Sequence, residues 1–218
     1  MFEAALYDLD GLLVDSEPIH GRASEKALGV YGRKLSDIPE NIRKSFYGKR
    51  VIDVAAGVVE SLGLSISPQR WASERLAFFM QLIEEGIGLM PGVERSLDLF
   101  DRLSVRTGLV SSGDRDYVLR VLELTGVRSR FAAVVTGDDV TVGKPDPQCY
   151  LLGAKKLGAD PARCLVLEDA HPGVLAGKAA GMKVIGVENL FNETFDGADL
   201  VLPSLAVLGE KTLAALER

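Results

Sequence analysis

Six short apolar runs, each closed by a polar or acidic residue, leave this chain few folds to choose from. They are Phe2 to Tyr7, Val105 to Val110, Phe131 to Val135, Cys164 to Leu167, Val184 to Val187 and Leu200 to Leu202. Runs this short, rich in Val, Leu and Ile and without regular polar alternation, read as strands buried on both faces. Between most of them lie amphipathic stretches with recognisable starts: Pro91-Gly92 before Val93 to Leu103, Asp146-Pro147 before Gln148 to Leu157, and Pro172-Gly173 before Val174 to Ala180. Strands and helices in alternation predict an α/β chain with a parallel sheet and helices on both of its faces.

One interval breaks that rhythm. From Asp8 to Val105 no strand pattern occurs, although a strand–helix–strand unit needs only about thirty residues. Helical apolar spacing runs instead through Pro18 to Tyr31, Pro39 to Phe46, Val51 to Leu62 and Pro68 to Ile83, with Ser67-Pro68 as cap and first-turn residue of the last. The prediction is a Rossmann-like parallel-sheet domain made of residues 1–15 and 87–218, interrupted by an α-helical cap domain over residues 16–86. The chain would return from the cap through Gly86 and Gly88. No repeat or low-complexity tract points to an array architecture.

Charge and cysteine content narrow the function classes. The 25 basic residues, against 31 acidic ones, are scattered and form no basic stripe, so no nucleic-acid partner is expected. A net charge of −6 does not exclude an anionic substrate, because a few charges and a metal set a site's local field. Cys149 and Cys164 lack metal-ligand or disulfide-framework spacing and read as core residues. No apolar run is long enough to span a bilayer, and the stretch before Asp8 is too short for a signal-peptide core. The expectation is a cytoplasmic protein without a membrane partner, as a monomer or weak homodimer.

In open α/β sheets, ligands bind beyond the carboxyl ends of the strands. The residues found there are Asp8-Leu9-Asp10-Gly11 after the first run, Ser111-Ser112-Gly113 after the second, and Glu168-Asp169 after the fourth. Lys144 follows the third run, in Gly143-Lys144-Pro145-Asp146. Asp8, Asp10 and Asp169 gathered together would repel one another unless a hard cation joined them. Mg²⁺ suits such oxygen ligands and binds through one or two carboxylates plus a substrate phosphate. A carboxylate beside that phosphate can act as nucleophile. Asp10, two residues on, can face the same side as Asp8, and its like-charged neighbour is expected to raise its pKa into a range useful for a general acid.

Four motifs in this order resemble the haloacid dehalogenase superfamily, specifically its phosphatases and the β-phosphoglucomutase-like branch with a helical cap. They are Tyr7-Asp8-Leu9-Asp10-Gly11, Val110-Ser111-Ser112, Gly143-Lys144-Pro145-Asp146-Pro147 and Leu167-Glu168-Asp169-Ala170-His171-Pro172-Gly173. A lone D-x-D is weak evidence; four motifs, each following its own strand, are strong. The resemblance implies Asp8 as nucleophile and metal ligand, and Asp10 as general acid and base with its carbonyl on Mg²⁺. It makes Asp169 a metal ligand and gives Glu168 a direct or water-mediated metal contact. Ser111, Ser112 and Lys144 would hold the phosphoryl oxygens, with helix capping as the competing role for Ser112. Asp15 to His20 would form the hinge, and Gly48-Lys49-Arg50 falls near the specificity loop, which makes Lys49 and Arg50 candidate substrate contacts.

The resemblance therefore implies hydrolysis of a small phosphorylated metabolite such as a sugar phosphate, through an aspartyl-phosphate. A phosphosugar mutase is the alternative, disfavoured because Val51 stands near the arginine with which such mutases grip a second phosphate. An aspartate phosphoacceptor switch fits the strand-end groups but does not need the helical insertion. His20 and His171 are read as structural, and Trp71, Phe78 and Phe79 as apolar core of the cap.

Overall fold

The computed structural model describes residues 2–44, 48–189 and 194–216. Strands β1 (Ala4–Tyr7), β2 (Arg106–Val110), β3 (Ala133–Val135), β4 (Cys164–Glu168), β5 (Lys183–Val187) and β6 (Leu200–Leu202) form one sheet in the order β3-β2-β1-β4-β5-β6. Every pairing is parallel, and Tyr7 at the end of β1 lies opposite Leu109 on one side and Leu167 on the other. Winding therefore reverses between β1 and β4, which opens a crevice beyond their carboxyl ends. Each expected strand is present. β1 starts two residues later than its apolar run, and β4 extends to Glu168, which pairs with Gly186.

Successive residues of each strand face opposite sides of the sheet. Ala5, Tyr7, Leu165, Leu167 and Ile185 enter one apolar cluster. Ala4, Leu6, Cys164, Val166 and Val184 enter the other. Helices α5 (Val93–Arg102) and α6 (Arg115–Leu124) bury their apolar stripes in the first cluster, whereas α7 (Gln148–Leu157) and α8 (His171–Ala179) serve the second. Both faces are thus covered, so the central strands carry no polar alternation.

Helices α1 (Glu17–Gly29), α2 (Glu40–Lys44), α3 (Val51–Ser61) and α4 (Pro68–Ile83) occupy the long interval before α5. Ser67 caps α4 by accepting a hydrogen bond from the Arg70 amide at 3.2 Å, with Pro68 in the first turn. Of the expected segment Pro39 to Phe46, Glu40–Lys44 is helical and Phe46 lies outside the described residues. Leu28, Ile38, Val58, Leu62 and Trp71 form a separate core inside this insertion. Its base is not separate: Ile19, Ala23, Phe79, Leu82 and Ile83 belong to the cluster of the sheet. The chain leaves and returns along one path, where Val14 and Leu89 form an antiparallel bridge and Met90 N–H donates to the Leu13 carbonyl at 2.9 Å. C-terminal α9 (Glu210–Leu216) packs Leu213 and Leu216 against the sheet. Among the described residues, no helix is long and apolar enough to cross a membrane.

Candidate active site

The carboxyl ends of β1 and β4 bring Asp8, Glu168 and Asp169 together, with one oxygen of each within 4.8 Å of the others and all three side chains buried. The loop between β3 and α7 delivers Lys144 into this group. Its Nζ donates to Asp8 Oδ1 at 2.5 Å and to Glu168 Oε1 at 2.6 Å, and lies 5.1 Å from the centre of the Tyr150 ring. Burial alone would lower the Lys144 pKa, but Asp8 and Glu168 outweigh it and hold the ammonium well above its ordinary range. Burial pushes the Asp8 carboxyl up against the pull of Lys144, helped by the negative charges of Glu168 and Asp10. Asp169 is raised by burial and then by Asp8 and Glu168. With all three carboxylates ionised, the cluster would carry two more negative charges than the Lys144 ammonium offsets.

That imbalance fits a divalent cation, and a donor set made only of carboxylate oxygens suits a hard one. Two glycines keep the donors in place. Gly11 has φ of +80° and faces Asp169, so a Cβ there would overlap Asp169 Oδ2. A Cβ on Gly173 would overlap the Glu168 carboxylate. Asn189, not anticipated from the sequence, orients Asp169 by donating to its Oδ2 at 2.5 Å. Glu168 divides its attention: Oε1 accepts from Lys144 and from Tyr150 OH at 2.6 Å, and Oε2 accepts from the amides of Asp169 and Ala170. It holds Lys144 as firmly as it faces the carboxylate cluster.

Asp10 departs from expectation. Its carboxylate is not in the cluster with Asp8 and turns instead toward the insertion. Asp10 Oδ1 accepts from Ser16 Oγ at 2.6 Å, from His20 Nε2 at 3.1 Å and from Tyr117 OH. Burial favours the neutral acid, but the hydrogen bonds from His20, Ser16 and Tyr117 outweigh it and hold the Asp10 pKa below the ordinary carboxylate value. The expected upward shift is thus reversed, because local donors act more strongly than the like charge two residues away. His20, read from the sequence as structural, lies in direct contact with Asp10. Arg75, a donor only, reaches His20 Nδ1 at 2.9 Å, so the ring proton sits on Nε2 and points to Asp10. Arg75 is itself buried and tied to Ser24 Oγ at 2.8 Å; burial lowers its pKa to about 10, and it stays charged at neutral pH.

Above these groups lies a cavity of about 420 Å³ between the sheet and the insertion. Asp8, Asp10 and Tyr117 line it from the sheet side; Glu17, Arg75 and Phe79 line it from the insertion. Phe79 stacks on His20 at 4.2 Å between ring centres, and Trp71 both lines the cavity and fills the core of the insertion. Ser111 is buried and accepts from the Gly113 amide at 2.9 Å. Ser112 does not cap α6; its hydroxyl donates to the Gly48 carbonyl at 3.1 Å, and the residue lines the cavity with Asp8 and Asp10. Lys49 and Arg50 part company. Lys49 lines the cavity, whereas Arg50 turns away to Asp53 and to the carbonyls of Val140 and Thr141, whose acceptors draw its guanidinium off the site.

A family model described as haloacid dehalogenase-like hydrolase matches residues 2–181. The chain is 33% identical over 222 residues to hexitol phosphatase B of Escherichia coli K12, covering 96% of each. It is 35% identical over 203 residues to the bifunctional riboflavin kinase/FMN phosphatase of Arabidopsis thaliana, covering 92% of this chain but 52% of that protein, about half its length. Among solved structures, β-phosphoglucomutase from Clostridium difficile superposes with a TM-score of 0.87 at 26% identity, over 99% of this chain and 97% of that one. The chain belongs to the haloacid dehalogenase-like hydrolases, and within them to the phosphatases of the β-phosphoglucomutase-like branch.

Proposed function

We propose that this chain hydrolyses a small phosphorylated polyol or sugar in a Mg²⁺-dependent reaction through a phosphate ester on Asp8, in the cytoplasm and as a monomer or weak homodimer. The observation that carries the reading is the buried Asp8 carboxylate, 2.5 Å from Lys144 and clustered with Glu168 and Asp169 beneath the cavity. The hexitol phosphatase and FMN phosphatase relatives favour hydrolysis over isomerisation. Residues 16–86 would act as a cap whose closure encloses the leaving group, with residues 1–15 and 87–218 as the catalytic domain.

Asp8 attacks the phosphorus, and the bond to the leaving oxygen breaks as that oxygen takes a proton from Asp10. Water then attacks the Asp8-bound phosphorus and gives a proton to Asp10; the bond from phosphorus to the Asp8 oxygen breaks, which releases phosphate, frees the Asp8 carboxylate and returns Asp10 to its protonated form. Lys144 and the Ser111 hydroxyl, whose own hydrogen remains to be donated once its oxygen accepts from Gly113, hold the phosphoryl oxygens. Asp8, Asp169 and the Asp10 carbonyl, with Glu168 directly or through water, would hold Mg²⁺, which offsets the charge of the phosphate when bound. Because Asp10 is held as a carboxylate, its fit is best for the second step; Ser16, His20 and Tyr117 must yield it for the first.

Asp10→Asn is expected to cost about 10²- to 10⁴-fold in turnover, more for alkyl than for aryl phosphates. With p-nitrophenyl phosphate the variant should release one equivalent of nitrophenolate quickly and then stall, since water activation is lost. Equal losses for both leaving groups, with no burst, would remove Asp10 from proton transfer.

A Mg²⁺-dependent screen of hexitol, hexose and nucleotide monophosphates by kcat/KM tests the substrate reading; isomer formation without free phosphate would replace it by the mutase. Metal removal should also be legible without turnover. The folded-state pKa of Asp8 is raised to about 8, so in metal-free protein its ionisation costs stability that is present at low pH and lost as pH rises toward 8. Mg²⁺ at a hundredfold excess over its Kd should restore about 2.7 kcal/mol, and thermal melts should show a larger metal effect at pH 8 than at pH 5. A metal effect independent of pH counts against this carboxylate cluster as the site.

A further inference from the structure

Away from the hinge, the segment Gly48–Asp53 sets the insertion down on three loops of the sheet domain. Gly48 accepts from Ser112 and lies so close to Ala170 that a Cβ on it would come within 2.8 Å of the alanine methyl. Arg50 grips Asp53 with Nε at 2.8 Å and Nη2 at 2.7 Å, and donates two further hydrogens, from Nη1 to Val140 O at 3.1 Å and from Nη2 to Thr141 O at 3.2 Å. Gly143 leaves room for this contact: a Cβ there would stand 2.8 Å from Asp53 Oδ2 and 2.9 Å from Arg50 Nε. The next residue is Lys144. The three loops underneath therefore carry Ser111, Lys144 and Asp169 in turn.

Asp53 already neutralises Arg50, so the guanidinium has no charge reason to seek substrate. Two more of its N–H groups fall on two backbone carbonyls in the fixed geometry of a planar fork, which a lysine cannot reproduce. Those two bonds join insertion to sheet, and bonds made in only one of two states bias the equilibrium toward that state. We propose that Arg50 is a positioning residue that latches the closed cap onto the Val140–Lys144 loop, coupling closure of the cavity to placement of Lys144. This rests on the reading of residues 16–86 as a cap over a phosphatase site.

The test compares wild type with Arg50→Ala, Arg50→Lys and Asp53→Ala by steady-state kinetics and by hydrogen exchange. Arg50→Ala should lower kcat/KM about tenfold, mainly through KM, because less of the protein is in the binding-competent closed state. Arg50→Lys should recover little of it. Asp53→Ala decides between latch and substrate contact: a latch loses its orienting partner and falls in parallel, whereas a substrate-binding arginine freed from Asp53 keeps or gains activity. Exchange across residues 140–144 should quicken in both alanine variants while strands β1 and β4 stay protected. Unchanged exchange in Arg50→Ala, or wild-type kcat/KM in Asp53→Ala beside a loss in Arg50→Ala, would overturn the latch. The exchange result needs no turnover, so a chain inactive on every phosphate would refute the phosphatase reading and leave the latch to stand or fall separately.

Discussion

Asp8→Asn is expected to end multiple turnover, with kcat/KM falling by about four orders of magnitude or more, because the amide keeps the volume of the side chain but supplies no nucleophile. The fold should not suffer. In the metal-free protein the native carboxyl is pushed up by burial, and its ionisation works against folding as pH climbs toward about 8. Asparagine carries no such penalty, so the variant should be at least as stable as wild type at pH 8 in chelator while being inactive in Mg²⁺. Mg²⁺-dependent turnover near the wild-type rate would sink the nucleophile assignment, whereas loss of secondary structure in the variant would overturn the stability prediction.

Lys144→Met separates the roles in the opposite way, by damaging both. The thioether matches the length of the lysine stem but leaves Asp8 and Glu168 facing each other in a buried site without their shared ammonium. Removing one partner of a buried charge group costs about 3–5 kcal/mol, so the melting temperature should drop by roughly 6–20 °C for a chain of this length. The loss should shrink at pH 5. With the ammonium gone the Asp8 carboxyl, already raised by burial, is pushed up further, and a group whose folded pKa is raised contributes its stability on the acid side and loses it as pH increases. Turnover should fall about 10²- to 10³-fold or more through loss of charge on the phosphoryl oxygens. Denaturant unfolding at pH 5 and pH 8 checks the first part; equal stability of variant and wild type at pH 8 would mean that Lys144 is not the counter-charge of Asp8.

The sheet was readable because burial on both faces removes polar residues from the strands, and Cys164 to Leu167 or Val184 to Val187 can then be little else. The strand-end groups were readable because topology alone brings the ends of β1 and β4 side by side. What escaped lies in contacts between distant segments. Asp10 was judged by Asp8, its neighbour in sequence, whereas its actual neighbours are Ser16, His20 and Tyr117. Ser16 shows why: it precedes α1 in the position of a capping residue, yet its hydroxyl goes to Asp10. Arg75 left a trace that could have been followed. It sits four residues from both Trp71 and Phe79 on the buried stripe of α4, and a charge on an apolar stripe needs a partner. Lys49 and Arg50 are adjacent, and only the path of the backbone at the start of α3 decides which one meets the cavity.

Because outgoing and returning segments run side by side at Val14 and Leu89, the sheet is blind to how much chain is spliced between them. Lengthening, shortening or exchanging the stretch beyond Ala23 and before Phe79 would re-thread no strand, while the packing of those two residues keeps any replacement anchored over the same opening. Such an arrangement lets the far wall of the cavity change while the carboxylates at the ends of β1 and β4 stay where the strands put them.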